Sequence, residues 1–138
     1  MSYTIEYIEK ECGLVIKWNG AVTGDEIVES YKDRFSDLER VKKLKYIVVD
    51  YSGVTDMHAS ENEILTISRI SSDVAANYNS TLYAAAIMPS DISYGLARMA
   101  QAYTDDDRTG WHTFVSRSRE DVNEWLRLHL GNLKFRNC

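Results

Sequence analysis

The sequence predicts a single α/β domain built on a mixed five-stranded sheet of the order ββαβαβαβα, and three observations carry this prediction. Strand and helix patterns alternate almost from end to end. Only a short turn separates the first two strands, which indicates an antiparallel hairpin. Each later strand is followed by a helix, which predicts parallel strands with right-handed crossovers. We expect residues 1–131 to form the domain and residues 132–138 a C-terminal tail.

The composition limits the classes of protein to consider. The chain has 138 residues, of which 44% are hydrophobic, enough to build a core. No apolar run approaches the ~20 residues that span a membrane, and the N-terminus lacks the pattern of a signal peptide. We therefore expect a cytoplasmic protein without a membrane span. Since the net charge is −5 and basic residues cluster only at 40–45, we expect no nucleic-acid partner.

The first three elements follow from periodicity. Residues 3–11 ("YTIEYIEKE") alternate at period two, and residues 13–20 ("GLVIKWNG") form the second strand. A helix is predicted over residues 22–43, where Thr23 and Glu26 make a capping box. Four apolar residues recur there at helical spacing: Ile27, Tyr31, Phe35 and Leu38.

The middle of the chain predicts a buried strand, a turn and a helix. Residues 44–50 ("LKYIVVD") are almost continuously apolar, as expected inside a parallel sheet. Residues 51–59 are interpreted as a loop, and residues 60–78 as a helix. The apolar residues on or near one face of this helix are Ile64, Ile67, Ile70, Val74 and Tyr78.

Two further strands and two further helices complete the pattern, at residues 80–88, 90–103, 111–117 and 118–130. Ser90 and Ser118 are the expected helix caps, and Gly131 is the expected helix stop. The patterns together predict that residues 45–50, 81–88 and 111–116 are neighbouring parallel strands. The hairpin of residues 3–18 should lie at one edge of the sheet.

Polar residues gather where the predicted strands give way to helices, which is where open α/β sheets bind ligands. The candidate site for a partner or ligand comprises Asp50, Ser52, His58, Ser60, Ser90 and Tyr94. Several of these residues could instead have a purely structural role. Asp50 is also a good turn former, and His58 could titrate or pair with Asp50 or Asp56. Ser60 precedes Glu63 by three residues, which makes a second capping box.

Neither a metal site nor a cofactor is predicted. No common spacing joins His58, His112 and His129, and the run at residues 105–107 ("DDD") is interpreted as a solvated loop. The sequence contains no nucleophile elbow, phosphate loop or dinucleotide fingerprint. Nothing in it favours an enzyme, although catalytic groups can converge from distant positions.

The element order and residues 47–60 ("IVVDYSGVTDMHAS") resemble the STAS domain, a family of anti-sigma factor antagonists and cytoplasmic tails of sulfate transporters. The SpoIIAA-like branch of small bacterial proteins is the most similar. Residues 115–126 ("VSRSREDVNEWL") resemble its last strand and helix, with Trp125 and Leu126 as core residues. The resemblance implies a non-catalytic regulatory module that binds a protein partner through residues 50–60 and the next helix.

In STAS antagonists this strand ends in aspartate, and a serine soon after accepts phosphate from a partner kinase. The resemblance places Asp50 and Ser52 at the strand end and Ser60 on the phosphate-accepting serine. Three positions depart from the family pattern. Here His58 replaces aspartate, Ala59 replaces the first serine, and Glu61 replaces a glycine that leaves space for the partner's backbone.

Two further hypotheses concern binding. The fold class also resembles lipid-binding CRAL-TRIO domains, which implies a small hydrophobic ligand near residues 84–86, Tyr94 and Tyr103. Three Trp and nine Tyr on a small domain, together with an open hairpin edge, predict a homodimer.

Overall fold

A computed structural model describes residues 2–79, 81–88 and 111–131 of the chain. The strands are β1 (Tyr3–Ile8), β2 (Gly13–Thr23), β3 (Tyr46–His58), β4 (Tyr83–Ile87) and β5 (His112–Ser116). The helices are α1 (Gly24–Arg34), α2 (Leu38–Lys43), α3 (Glu61–Asn77) and α4 (Arg119–Leu130), and a 3-10 turn (Glu9–Glu11) joins β1 to β2. The predicted helix at 90–103, with Ser90 and Tyr94, lies outside the described residues, as does the predicted tail.

The five strands form one sheet in the order β1-β2-β3-β4-β5. Strand β1 pairs antiparallel with β2, and the remaining pairs are parallel. This confirms the predicted hairpin at one edge and the predicted series of neighbouring parallel strands. The chain reverses between β1 and β2 through Cys12, which adopts a left-handed conformation with φ 51°.

Helices cover both faces of the sheet, which explains why β3 begins as an almost continuous apolar run. Ile47 and Val49 point to one face, where they pack in a core with residues of α1, α2 and α3. Tyr46 and Val48 point to the other face, where they pack with Val122 and other residues of α4. Because both faces are buried, neither set of alternating positions can be polar.

The predicted helix at 22–43 is wrong in one respect, because it is two helices. Helix α1 ends at Arg34, and Asp37 begins α2 by accepting a hydrogen bond from the Arg40 amide at 3.2 Å. Leu38, in the first turn of α2, is 39% exposed and not part of the core. Tyr78, also predicted to face inward, is 39% exposed because α3 ends one residue before it.

The predicted loop after Asp50 is also wrong, since β3 continues to His58. Strand β2 is longer than predicted as well, and its residues 19–23 pair in parallel with residues 53–58 of β3. We name this paired extension the carboxyl ribbon. The register shifts twice along it, as β-bulges do, and Gly20 supplies a positive φ of 76° at the second shift. Ser52 and Gly53, which the sequence interpretation assigned to a turn, therefore lie within this irregularly paired strand.

Candidate functional site

Asp50 ends the part of β3 that lies between two other strands, and both of its carboxylate oxygens have partners. Oδ1 accepts hydrogen bonds from the Ser52 amide at 2.9 Å and from the Ser52 hydroxyl. Oδ2 lies 3.5 Å from Nη1 of Arg119, in the first turn of α4. The side chain of Asp50 is only 14% exposed. Asp50 therefore ties the start of the carboxyl ribbon to α4.

The start of α4 is itself fixed to the end of β5. The Ser118 hydroxyl caps α4 by accepting from the Asp121 amide at 3.3 Å, which confirms the predicted cap. The Ser116 hydroxyl donates to Asp121 Oδ2 at 3.2 Å and accepts from the Ser118 amide at 3.1 Å. These bonds hold Arg119 in position beside Asp50.

His58 is the last residue of β3 and not a loop residue. Its Nε2 lies 2.7 Å from Asp56 Oδ2, so the predicted pairing is with Asp56 and not with Asp50. Both side chains are largely exposed. Solvent competes for both groups of such an exposed contact, so its net contribution to stability is small. The pair therefore adds little to the stability of the fold.

Ser60 caps α3 as predicted. Its hydroxyl accepts a hydrogen bond from the Glu63 amide at 3.2 Å, and Glu63 Oε1 accepts one from the Ser60 amide at 2.9 Å. The hydrogen bond from the Ser60 amide, followed by that with the Ser60 hydroxyl, lowers the pKa of Glu63. The backbone at the end of the carboxyl ribbon is therefore fixed by two reciprocal bonds.

A second capping box lies beside the first. Thr23 caps α1 and pairs with His58 across the carboxyl ribbon, so the two helices begin next to each other. The Glu63 carboxylate lies so close to Gly24 that a Cβ at Gly24 would overlap it. Glycine at position 24 therefore permits the close approach of the two helix starts.

Similarity to a solved structure identifies the fold. A crystal structure of an uncharacterized protein of the DUF3478 family from Shewanella loihica PV-4, described as having a SpoIIAA-like fold, matches 90% of this chain and 91% of its own. The sequence identity is 12% and the TM-score is 0.50. The chain has a SpoIIAA-like fold.

A second solved structure is similar over a comparable length. The anti-sigma factor antagonist SpoIIAA in its unphosphorylated form matches 91% of this chain and 97% of its own, at 15% identity and a TM-score of 0.47. No protein-family model and no curated protein matches the sequence.

In this SpoIIAA-like fold the candidate residues divide into two groups. Asp50 and Ser52 bond to each other at the start of the carboxyl ribbon, whereas His58 and Ser60 lie at and just beyond its end. Arg119 is a member of the site that the sequence interpretation missed. The alignment of the parallel strands could have indicated this contact. Asp50 pairs with Ile87, and Ile87 pairs with Ser116, which precedes Arg119 by three residues.

The surface around the two helix starts is acidic. Its carboxylates come from the first turns of α1 and α3 and from the carboxyl ribbon, and they are Asp25, Glu26, Asp56, Glu61 and Glu63. Within residues 2–79, 81–88 and 111–131, no group of three or more His, Cys, Asp or Glu side chains has the arrangement of a metal site. None of the helices in the described part of the chain is long and apolar enough to cross a membrane.

Proposed function

We propose that this SpoIIAA-like domain is a non-catalytic regulatory module that binds a protein partner through the carboxyl ribbon and the first turn of α3. The observation that carries the proposal is a run of exposed residues along a fixed backbone. Ser52, Thr55, Asp56 and His58 are all exposed along β3. The surface continues into α3 through Ser60, which is exposed too.

The backbone of this surface is fixed at both ends before any partner arrives. Asp50 holds Ser52 at one end, and Glu63 holds Ser60 at the other. A surface that is already ordered loses little conformational entropy on binding. This supports a docking role for residues that are exposed and contribute little to the core.

The charge of the surface indicates the chemistry of the partner. Asp25 and Asp56 are exposed around the helix starts, and the capping carboxylates of Glu26 and Glu63 add to the negative potential. Complementary charge increases the association rate and the specificity of an interface. We propose a partner with a basic docking surface.

In this proposal Ser60 is a helix cap and not a phosphate acceptor. Its hydroxyl already bonds to the Glu63 amide. Glu61 and Glu63 follow within the same helical turn, and a phosphate on Ser60 would add close to two negative charges beside them. Regulation would therefore act through partner binding and not through phosphorylation of this serine.

Site-specific photo-crosslinking in the native host tests the proposal. A photoreactive residue at Asn62, which is exposed in the first turn of α3, should give a discrete adduct with one protein. The matched control is Lys10, which is exposed in the turn before β2 begins, at the other end of that strand from the carboxyl ribbon. The Asn62 adduct should disappear when Asp56 and Thr55 are replaced by Lys. An equal adduct from Lys10, or none from Asn62, would contradict the proposal.

We also propose that the domain forms a homodimer through the outer edge of β1, in the cytoplasm. Strand β1 pairs with β2 on one side, and no strand among the described residues pairs with its other side. Thr4 and Glu6 are exposed there, which leaves backbone groups accessible to a second copy. Sedimentation at micromolar concentration should show a dimer, and a monomer alone would contradict this proposal.

A further inference from the structure

We propose that a cavity between the sheet and helices α1 and α3 binds a short-chain aliphatic monocarboxylate, whose carboxylate is held by Arg34. The cavity is lined by Arg34, Tyr31, Phe35, Ser71 and Trp111, together with strand residues that include Ala86. This site uses different residues from those of the proposed partner surface. Either proposal can therefore fail without the other.

Arg34 is a buried cation. It is 5% exposed, and the centre of its guanidinium lies 3.8 Å from the centre of the Tyr31 ring. Among the described residues it donates two hydrogen bonds, both to Ser30, from Nε to the carbonyl oxygen at 3.4 Å and from Nη2 to the hydroxyl at 3.2 Å. Across the described ranges no carboxylate lies within ion-pair distance of it. A charge buried without a counterion is unfavourable, so the site favours an incoming anion.

The site cannot remove this charge by itself. An arginine side chain stays protonated in proteins. Tyr51 lies within electrostatic reach of Arg34, but burial raises the pKa of its phenol and outweighs the opposing effect of the Arg34 charge. Tyr51 therefore remains neutral and does not act as the counterion. The guanidinium has five N–H donors in a planar fork that matches a carboxylate, and Ser30 accepts only two of them.

The shape of the cavity limits the ligand to a small one. The space beside Arg34 has a volume of about 90 Å³. An adjacent cavity of about 100 Å³ extends towards Met57 and Met88. The two cavities share four lining residues, Tyr31, Val49, Ile67 and Ala86. An engineered apolar cavity of ~150 Å³ accepts benzene, so this space suits a carboxylate with a short apolar chain.

Ala84 and Ala86 line the wall of β4 on the Arg34 side of this space, whereas Ala85 packs on the other face of the sheet. Larger side chains at positions 84 and 86 would fill it. The apolar walls would hold the chain of the ligand, while Arg34 and the buried Ser71 hydroxyl would hold its carboxylate. The arrangement is that of a small-molecule site, which is mostly apolar with a few convergent polar groups.

A structural role for Arg34 is the competing explanation. Arg34 is the last residue of α1, where a cation is stabilised by the helix dipole. That effect accounts for the charge at this position. It does not account for the burial of the guanidinium against an open apolar space, because a surface arginine would serve the dipole equally well.

Calorimetric titration with hexanoate and with hexanamide tests the proposal on the unmodified protein. Hexanoate should bind saturably at one site, and hexanamide, which has the same shape but no charge, should bind at least about tenfold more weakly. Trp111 lies in the cavity wall, so its fluorescence should change with the same dependence on hexanoate concentration. Equal binding of the two compounds, or no saturable binding of hexanoate, would overturn the proposal.

Three variants locate the site. Arg34→Met keeps an apolar side chain of similar length and should weaken hexanoate binding by roughly tenfold to a hundredfold. Ala86→Leu should abolish binding by filling the space while Arg34 remains. Arg69→Met, which removes an exposed arginine from α3, should leave binding unchanged. If Arg34→Met or Ala86→Leu binds hexanoate as the unmodified protein does, the cavity is not the site.

Discussion

The two halves of β3 belong to one strand but have opposite roles. Residues 46–50 are paired with β2 on one side and β4 on the other. They are buried except for Asp50, which is partly buried. Residues 51–58 pair only with β2 among the described residues, and five of these eight residues are exposed. The difference arises from the neighbours, because pairing with β4 stops at Ile87. The first half builds the core, and the second half presents a surface.

The largest expected effect is in the inner half of β3. Ile47→Ala removes a side chain that is buried in the core below α1 and α3, and it should lower the free energy of unfolding by ~2–5 kcal/mol. Thr55→Ala is the matched control in the outer half, and it should change the free energy by less than ~0.5 kcal/mol. Urea denaturation measures both. Similar losses in the two variants would contradict the division of β3.

Gly53→Ala should have the next largest effect, because it acts where the carboxyl ribbon begins. A Cβ at Gly53 would lie 2.9 Å from the carbonyl oxygen of Trp18 and would overlap the side chain of Asn19. The backbone contact forces a shift in the bulge, so we expect a loss of ~1–3 kcal/mol by urea denaturation.

The double variant Asn19→Ala/Gly53→Ala separates the two clashes at this bulge. It relieves only the clash with the side chain, so it should recover part of the lost stability and not all of it. Full recovery would show that the backbone of β2 does not limit residue 53.

Ser60→Ala should lower the free energy of unfolding by ~1 kcal/mol, because it removes the cap of α3. Ser60→Asp should be nearly neutral, since aspartate caps equally well and its charge suits a helix start. Thermal or urea unfolding measures both variants. Phosphate on Ser60 in protein from the native host would contradict the role of a simple cap.

Local patterns in the sequence predicted the parts of the fold that depend on local chemistry. Both capping boxes, the Ser118 cap and the alternation of β1 could be predicted, because each is determined by residues a few positions apart. The strand order could also be predicted, since successive parallel strands with short crossovers tend to be neighbours. Asp37 carried a local signal for the start of α2, but the continuous helical spacing around it concealed the break.

The missed features depend on contacts between distant residues. The end of β3 depends on its pairing with residues 19–23 of β2, and "DYSG" has the composition of a turn. The contact of Arg119 with Asp50 joins α4 to β3. The burial of Arg34 follows the spacing of Ile27, Ser30 and Arg34 along one face of α1, but a charged residue is normally assigned to the surface.

The smallest expected effect concerns the pH dependence of the cap at the end of the carboxyl ribbon. Hydrogen bonds from Ser60 lower the pKa of Glu63 below its ordinary value of 4.5. As the pH falls, the Glu63 carboxylate therefore takes up its proton at a higher pH in the unfolded chain than in the folded protein. The stabilisation by the Glu63 charge is present above pH 4.5 and is lost as the pH falls through the lower, folded value.

Glu63→Gln isolates this contribution, because glutamine also serves at this position of a capping box but does not titrate. The unmodified protein should be more stable than Glu63→Gln well above pH 4.5, and the difference should shrink below it. Since Glu63 is close to solvent, we expect a difference of less than ~0.5 kcal/mol, which urea denaturation at several pH values can resolve. A difference that grows as the pH falls would mean that the Glu63 charge destabilises the cap. Repulsion among the carboxylates at the end of the carboxyl ribbon would then outweigh the hydrogen bonds that stabilise the start of α3.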